Sequence, residues 1–396
     1  MQGEYEVIIV GGGPAGLSTG IVFGSNGLRT LILEQKTLPA DKVCGEGVMP
    51  VGVFALEKLG VKQKLKPGEY HPFKGVSYII EGLPKANGDF REGPGLGIRR
   101  TTLSEACLLR AKELDCLEIQ DGLRERVRSF ERTASGVSVQ VGDRRYRSRL
   151  LVGADGLDSQ VRRWAGLDGS PSTLQRWGAR QHFRVKPWNE YVEVYWNDGT
   201  EAYLTPCGKE MVGVAILWDR KRPLRIRGGK DLFSSLISEF PALCDRLGNA
   251  HPMGDVKAIG PLSRTVKHPV ADGVLLVGDA AGYQDAITGE GISLAINQAL
   301  AIQNTVVPVL KKEASGIVKL EDLEEYKKAY KEMYTPYSIM TNLALSLSRN
   351  PKLARLAIRL LRKCPPLFQY LLSINMGQTS LWPGFRKWQA PRQGEN

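Results

Sequence analysis

Gly11, Gly13 and Gly16 follow the apolar run Val7-Ile8-Ile9-Val10 at G-x-G-x-x-G spacing, and Glu34 closes a second apolar run, Thr30 to Leu33. Residue types and order together describe a dinucleotide site. Gly11 permits a sharp strand-to-helix turn, Gly13 lets backbone approach a pyrophosphate, and Gly16 allows close contact between helix and strand. Pro14 and Ala15 open the helix, whose N-terminal amides and dipole favour phosphate charge. The Glu34 carboxylate, with Gln35 beside it, suits the hydroxyls of an adenosine ribose and repels a 2′-phosphate, so FAD or NAD is expected rather than NADP.

Other reactive residue types are sparse. The six cysteines (Cys44, Cys107, Cys116, Cys207, Cys244, Cys364) show no C-x-x-C spacing, and the four histidines (His71, His182, His251, His268) form no ligand cluster. Neither a metal centre nor a disulfide framework is expected.

The elements that must hold this chemistry can be read from periodicity. A β-α-β unit spans Glu4 to Gln35, helices are expected near Val53 to Gly60 and Leu103 to Glu113, and strands at Val137 to Val141 and Leu150 to Gly153. Strands at Tyr191 to Trp196, Ala202 to Thr205 and Val212 to Trp218 look like a separate sheet, the first alternating apolar and polar residues. A buried-strand pattern returns at Gly273 to Gly278 and leads into a helix from Gly291 to about Val306, so the nucleotide-binding pieces lie at both ends of the chain. The expected fold class is α/β: a discontinuous Rossmann-type domain (1–75, 95–175, 255–310), an inserted β-rich substrate domain (76–94, 176–254) and a helical C-terminal region (311–396).

Two later runs complete a family pattern. Gly153 to Arg162 carries Asp155-Gly156 followed by Ser159 and Arg162, and Gly278-Asp279-Ala280-Ala281-Gly282 stands directly after an apolar strand. With the glycine fingerprint, in this order and over roughly residues 5 to 305, the chain resembles the flavin-dependent hydroxylase superfamily typified by p-hydroxybenzoate hydroxylase, together with its geranylgeranyl reductase relatives. The resemblance implies bound FAD, with Asp279 on its ribityl hydroxyls and NADH or NADPH as a transient electron donor, since only one G-x-G-x-x-G is present. It also implies that Arg100, in Arg100-Thr101-Thr102-Leu103-Ser104, lies beside the flavin, although Ser104 replaces the family's acid and a solvated arginine pair, Arg99 and Arg100, is an equal reading. Lys42 to Pro50 is similar to a Cys-Gly-Glu segment that passes close to the cofactor in reductase-like and halogenase-like relatives. Within it Cys44 reads as packed or redox-active, Gly45 as backbone, and Glu46 as an acid of the flavin shell or a solvated loop residue.

Thr288-Gly289-Glu290-Gly291-Ile292 looks like the geranylgeranyl reductase version of the segment beside the reactive ring. The amides of Gly289 to Ile292, at a helix start, suit the negative charge of reduced flavin. The middle sheet instead resembles hydroxylase substrate strands, with Trp177, Trp188, Tyr195, Trp196, Tyr203 and Trp218 as candidate cavity walls. The leading expectation is an NAD(P)H- and O2-using monooxygenase acting on an apolar aromatic, polyketide- or quinone-like substrate. The alternative is a reductase of isoprenoid C=C bonds, and a non-catalytic flavin-binding protein ranks last.

Net charge is +12, of which a net +8 falls between Thr335 and Asn396 (Arg349, Lys352, Arg355, Arg359, Arg362, Lys363, Arg386, Lys387 and Arg392 against Glu395). Leu353, Leu356, Ala357 and Leu360 complement the cations at helical spacing, so a basic amphipathic helix is expected, suited to an anionic membrane or simply packed on the core. No nucleic-acid module accompanies the charge. With no run near the ~20 apolar residues of a membrane span and no signal-peptide pattern, the expected location is cytoplasmic, with peripheral membrane contact through this region.

Overall fold

In the computed structural model, residues 4–221, 231–312 and 316–379 are described; Arg386, Lys387, Arg392 and Glu395 lie outside them. The strand Glu4–Val10 sits at the centre of an eight-stranded sheet because its inner residues are apolar on both faces, as a parallel strand covered by helices requires. It pairs in parallel with Thr30–Leu33 on one side and Arg144–Gly153 on the other; Leu117–Gln120 and Val274–Leu276 extend the parallel set outward. The helices Pro14–Ser25 and Gly291–Thr305 pack on each other against this sheet, so the first and last nucleotide-binding segments meet in space.

A second sheet of seven strands holds Gly75–Ile79, Ala86–Asp89, Arg176–Arg184, Tyr191–Asn197, Thr200–Gly208, Met211–Asp219 and His251–Ile259. The last of these runs whole in this sheet, so the expected division at residue 255 falls inside a strand. Period-two alternation sorts its residues. Val192, Val194, Trp196, Tyr203, Ala215 and Leu217 face a cavity, while Tyr195, Leu204, Val214, Ile216 and Trp218 pack beneath the helices Leu232–Ile237 and Pro241–Leu247. Of the six aromatic residues expected to wall that cavity, only Trp196 and Tyr203 do so; Trp177, Trp188, Tyr195 and Trp218 do not line it.

Three helices end the described residues: Glu324–Ser348, Pro351–Lys363 and Pro365–Asn375. The middle one is the expected basic helix, but its apolar faces need correction. Ala354 and Ile358 are the residues that bury, whereas Leu353, Leu356 and Leu360 are exposed. Ala354 and Ile358 fit beneath the helix because they lie one turn apart, i and i+4, on the face turned to the cavity.

Candidate active site

Glycine geometry builds the first wall of the cavity. Gly11 has φ +109°, and a Cβ there would lie 2.4 Å from the Ala154 carbonyl oxygen, while one on Gly16 would lie 1.8 Å from the Gly11 carbonyl oxygen. These two positions are closed by backbone. Gly13 is the opposite case: a Cβ would meet only the Arg100 guanidinium, at 3.4 Å. The space over Gly13 is open, and Pro14, Ala15, Lys42, Cys44, Gly45, Arg100, Gly156, Asp279 and Gly289 to Ile292 line the same cavity. Arg100 thus lies half-buried against the glycine turn.

Other candidates serve this wall from behind. Glu34 accepts the Gly12 N–H (2.6 Å) and the Lys36 N–H (2.8 Å), which holds the loop between strand and helix. Gln35 adds no cavity wall. Asp155 accepts from the Ser159 hydroxyl (2.5 Å) and from the amides of Gln160 (2.7 Å) and Val161 (3.2 Å). Its carboxylate therefore caps the Gln160–Trp164 helix and does not face the cavity, while neighbouring Ala154 and Gly156 do. Arg162, buried in that helix, donates to the carbonyls of Leu157 (2.9 Å) and Ala280 (3.1 Å) and so ties the Asp-Gly run to the Gly-Asp run. The Asp279 carboxylate has no protein partner among the described residues and lines the cavity.

The Glu46 carboxyl is 1% exposed, which overturns its reading as a solvated loop residue. It accepts the Arg100 N–H (3.0 Å) through Oε1 and pairs with His182 Nε2 (2.6 Å) through Oε2. Arg180 Nη1 lies 2.8 Å from His182 Nδ1 and its Nη2 donates to Asp41 (2.6 Å). A guanidinium can only donate, so Nδ1 of His182 accepts and Nε2 carries the proton given to Glu46. Burial acts to raise the Glu46 carboxyl, but the hydrogen bond from His182 and the nearby Arg180 outweigh it and hold the group below the usual carboxylate range. Glu46 also has φ +59°, a conformation that L residues rarely adopt. Burial pushes the Cys44 thiol up, so it stays protonated, and packing rather than thiolate chemistry describes it.

A second buried cluster fixes the segment from Gly282 to Glu290. Arg176 donates to Asp285 (3.0 Å), to Glu201 and to the Gly199 carbonyl (3.0 Å). The long helix Glu324–Ser348 holds the chain from Leu276 to Asp285 through tyrosines one or two turns apart. Tyr326 donates to the Leu276 carbonyl (3.0 Å), Tyr330 to that of Ala281 (2.6 Å) and Tyr337 to that of Asp285 (2.8 Å). Sequence reasoning missed both devices; the tyrosine spacing 326, 330, 334, 337 is the visible signal of the second, and no local pattern joins Arg176 to Glu201 and Asp285.

Beyond the cradle the cavity becomes apolar. Val76, Tyr78, Trp196 and Leu217 of the second sheet face Ala344, Ile358, Leu361, Phe368 and Leu372 of the C-terminal helices. Glu290 borders this chamber, buried, with Oε1 accepting from the Asn375 side-chain amide (2.9 Å). Burial pushes its carboxyl up to about 8, against the smaller lowering effect of Asn375.

The model of the FAD binding domain family matches residues 4–330. The chain belongs to this family. Members and fold relatives vary in what they are named for. Digeranylgeranylglycerophospholipid reductase 2 of Methanococcoides burtonii is 27% identical over 344 residues, covering 83% of this chain and 80% of the relative. Among solved structures, a flavoprotein/dehydrogenase from Cytophaga hutchinsonii superposes with TM-score 0.80 at 15% identity, covering 94% of this chain and 92% of the other. Halogenase PltM in complex with phloroglucinol and FAD gives TM-score 0.76 at 15% identity, covering 94% of this chain and 85% of the other. The last two show the shared fold.

For an FAD-binding domain of this family the cradle fits its cofactor. The space over Gly13 is open to a pyrophosphate, Asp279 offers an unengaged carboxylate to hydroxyl groups, and the amides at the start of the Gly291–Thr305 helix lack intrahelical partners. Gly13 to Gly16, Glu34, Asp279 and Gly289 to Ile292 would hold FAD, which supplies hydride or electron transfer when bound. The protein is an FAD-dependent oxidoreductase.

Proposed function

We propose that this enzyme reduces C=C bonds of an isoprenoid chain, using NADH or NADPH as the electron source. The observation that carries the reading is the join between the cradle and an apolar chamber, with Glu290 at the border. Saturating a C=C bond adds a hydride to one carbon and a proton to the other. FAD, when bound and reduced, would supply the hydride; Glu290, protonated below about pH 8, is placed to give the proton and to be recharged from solvent. The chamber excludes water and orients a long apolar chain by shape. The reductase-like Thr288 to Ile292 segment and the named activity of the Methanococcoides burtonii relative support the same reading.

The experiment reduces the FAD-loaded enzyme with dithionite under argon and adds a geranylgeranyl-bearing glycerolipid. Flavin reoxidation with a gain of two hydrogens per bond in the lipid supports the reductase. Stable reduced flavin, together with oxygen insertion into an aromatic substrate when air and NAD(P)H are supplied, supports monooxygenation. The aromatic walls Tyr78, Trp196 and Phe368 favour that second reading.

A further inference from the structure

Leu353, Leu356 and Leu360 lie at i, i+3 and i+7 on the Pro351–Lys363 helix and are 48%, 62% and 52% exposed. Helical spacing places them on one stripe. Lys352, Arg359, Arg362 and Lys363 flank that stripe and have no ion-pair partner among the described residues, whereas Arg355 donates to the Glu81 carbonyl (3.2 Å). No carboxylate of the described chain neutralises this face. On the stripe's other side, Ala357 and Leu361, one position onward from Leu356 and Leu360, line the apolar chamber. Leu343 of the preceding helix lines the same chamber and is 44% exposed, so the chamber reaches the surface beside the stripe.

We propose that this helix is a docking face for an anionic lipid bilayer, lying in the headgroup plane so that the chamber mouth opens onto the membrane. Charge complementarity selects the occupant: a leucine stripe edged by unpaired cations matches acyl chains beneath anionic headgroups. No helix among the described residues is long and apolar enough to cross a membrane, so contact is peripheral. The inference extends the isoprenoid-lipid reading, because a substrate with lipid tails can enter the chamber without crossing water. Binding itself does not depend on that reading.

The test uses the full-length, FAD-loaded protein and flotation with vesicles of phosphatidylglycerol or of phosphatidylcholine alone. The protein should float with the anionic vesicles and not with the neutral ones. Each surface cation contributes about fivefold to partition, so Lys352→Gln with Arg359→Gln should lower it about 30-fold. Leu356→Asp should abolish it, and because Leu356 is exposed the variant should keep its fold and flavin content. Activity on detergent-solubilised lipid should be unchanged in Leu356→Asp, while activity on the same lipid in vesicles falls; loss of both in the parent protein would overturn the substrate reading instead. Absence of binding to anionic vesicles overturns the docking face, as does binding indifferent to these variants. A dimer in ultracentrifugation that Leu356→Asp converts to monomer, without vesicle binding, assigns the stripe to a second copy and also overturns it.

Discussion

The cradle and the chamber share one cavity but are built by different means. The cradle depends on backbone: glycines at Gly11, Gly13 and Gly16, helix-start amides, and loops held by Glu34, Asp155 and Arg162. The chamber depends on side chains drawn from strands far apart in sequence and from the helices Glu324–Ser348, Pro351–Lys363 and Pro365–Asn375. A backbone site tolerates little variation at few positions. A side-chain chamber can change its contents without losing its frame, which fits a fold shared by relatives of different named activities.

Breaking the shared support should have the largest effect. Arg176→Met leaves Glu201 and Asp285 buried without their cation, and removal of one member of such a cluster costs about 3–5 kcal/mol. Urea unfolding should show that loss, and both cradle and chamber should fail together.

The next test separates the two within the glycine turn. Gly13→Val should give a folded, colourless protein, since only the Arg100 guanidinium stands near the new side chain. Gly16→Val should fail to fold, because backbone lies within 1.8 Å of its Cβ. Circular dichroism and flavin absorbance distinguish the outcomes, and a yellow, fully loaded Gly13→Val would contradict the cradle.

Glu290→Gln addresses the border. Turnover should fall by about 10²–10⁴-fold, the range for loss of a proton donor, while flavin content stays. In the parent enzyme turnover should decline as pH rises through about 8. Stability has a linked slope. The folded carboxyl titrates at about 8 against 4.5 for the free group, so between these values the folded chain holds a proton that the unfolded chain has released. Stability therefore decreases as pH rises across that window. Thermal unfolding of Glu290→Gln should lack this component.

The smallest effect belongs to Tyr337→Phe, which removes the buried hydroxyl that donates to the Asp285 carbonyl (2.8 Å) and accepts the Asp285 N–H at the longer distance of 3.4 Å, a loss of about 1–2 kcal/mol. Faster flavin dissociation with an intact chamber is the expected result, read by fluorescence on dilution.

Cradle residues were legible in the sequence because each requirement falls within a short local run: a strand, a turn and an acid at fixed offsets. Glu46 shows where that reading stops. Its loop was visible, but its partners His182 and Arg180 lie on a strand more than a hundred residues later, and no local pattern joins them. Asp155 fits a family motif, yet its oxygens are taken by the Ser159 hydroxyl and two helix amides, a role the motif alone does not distinguish from contact with a cofactor. The chamber was hardest to foresee. The basic helix was expected, but helical spacing offers both a leucine stripe and the Ala354–Ile358 stripe, and only packing against the Ala86–Asp89 strand region decides which one turns inward.

The tyrosine row on Glu324–Ser348 also sets an order of assembly. Strand Glu4–Val10 leaves the ribosome early, its neighbour Arg144–Gly153 follows much later, and the carbonyls of Leu276, Ala281 and Asp285 gain their tyrosine partners in turn as Tyr326, Tyr330 and Tyr337 emerge. Domains tend to fold as their chain is completed. A nascent chain ending near residue 310 would thus own every cofactor motif and still lack the groups that steady the last of them, so firm retention of flavin should begin only once the helix Glu324–Ser348 has arrived.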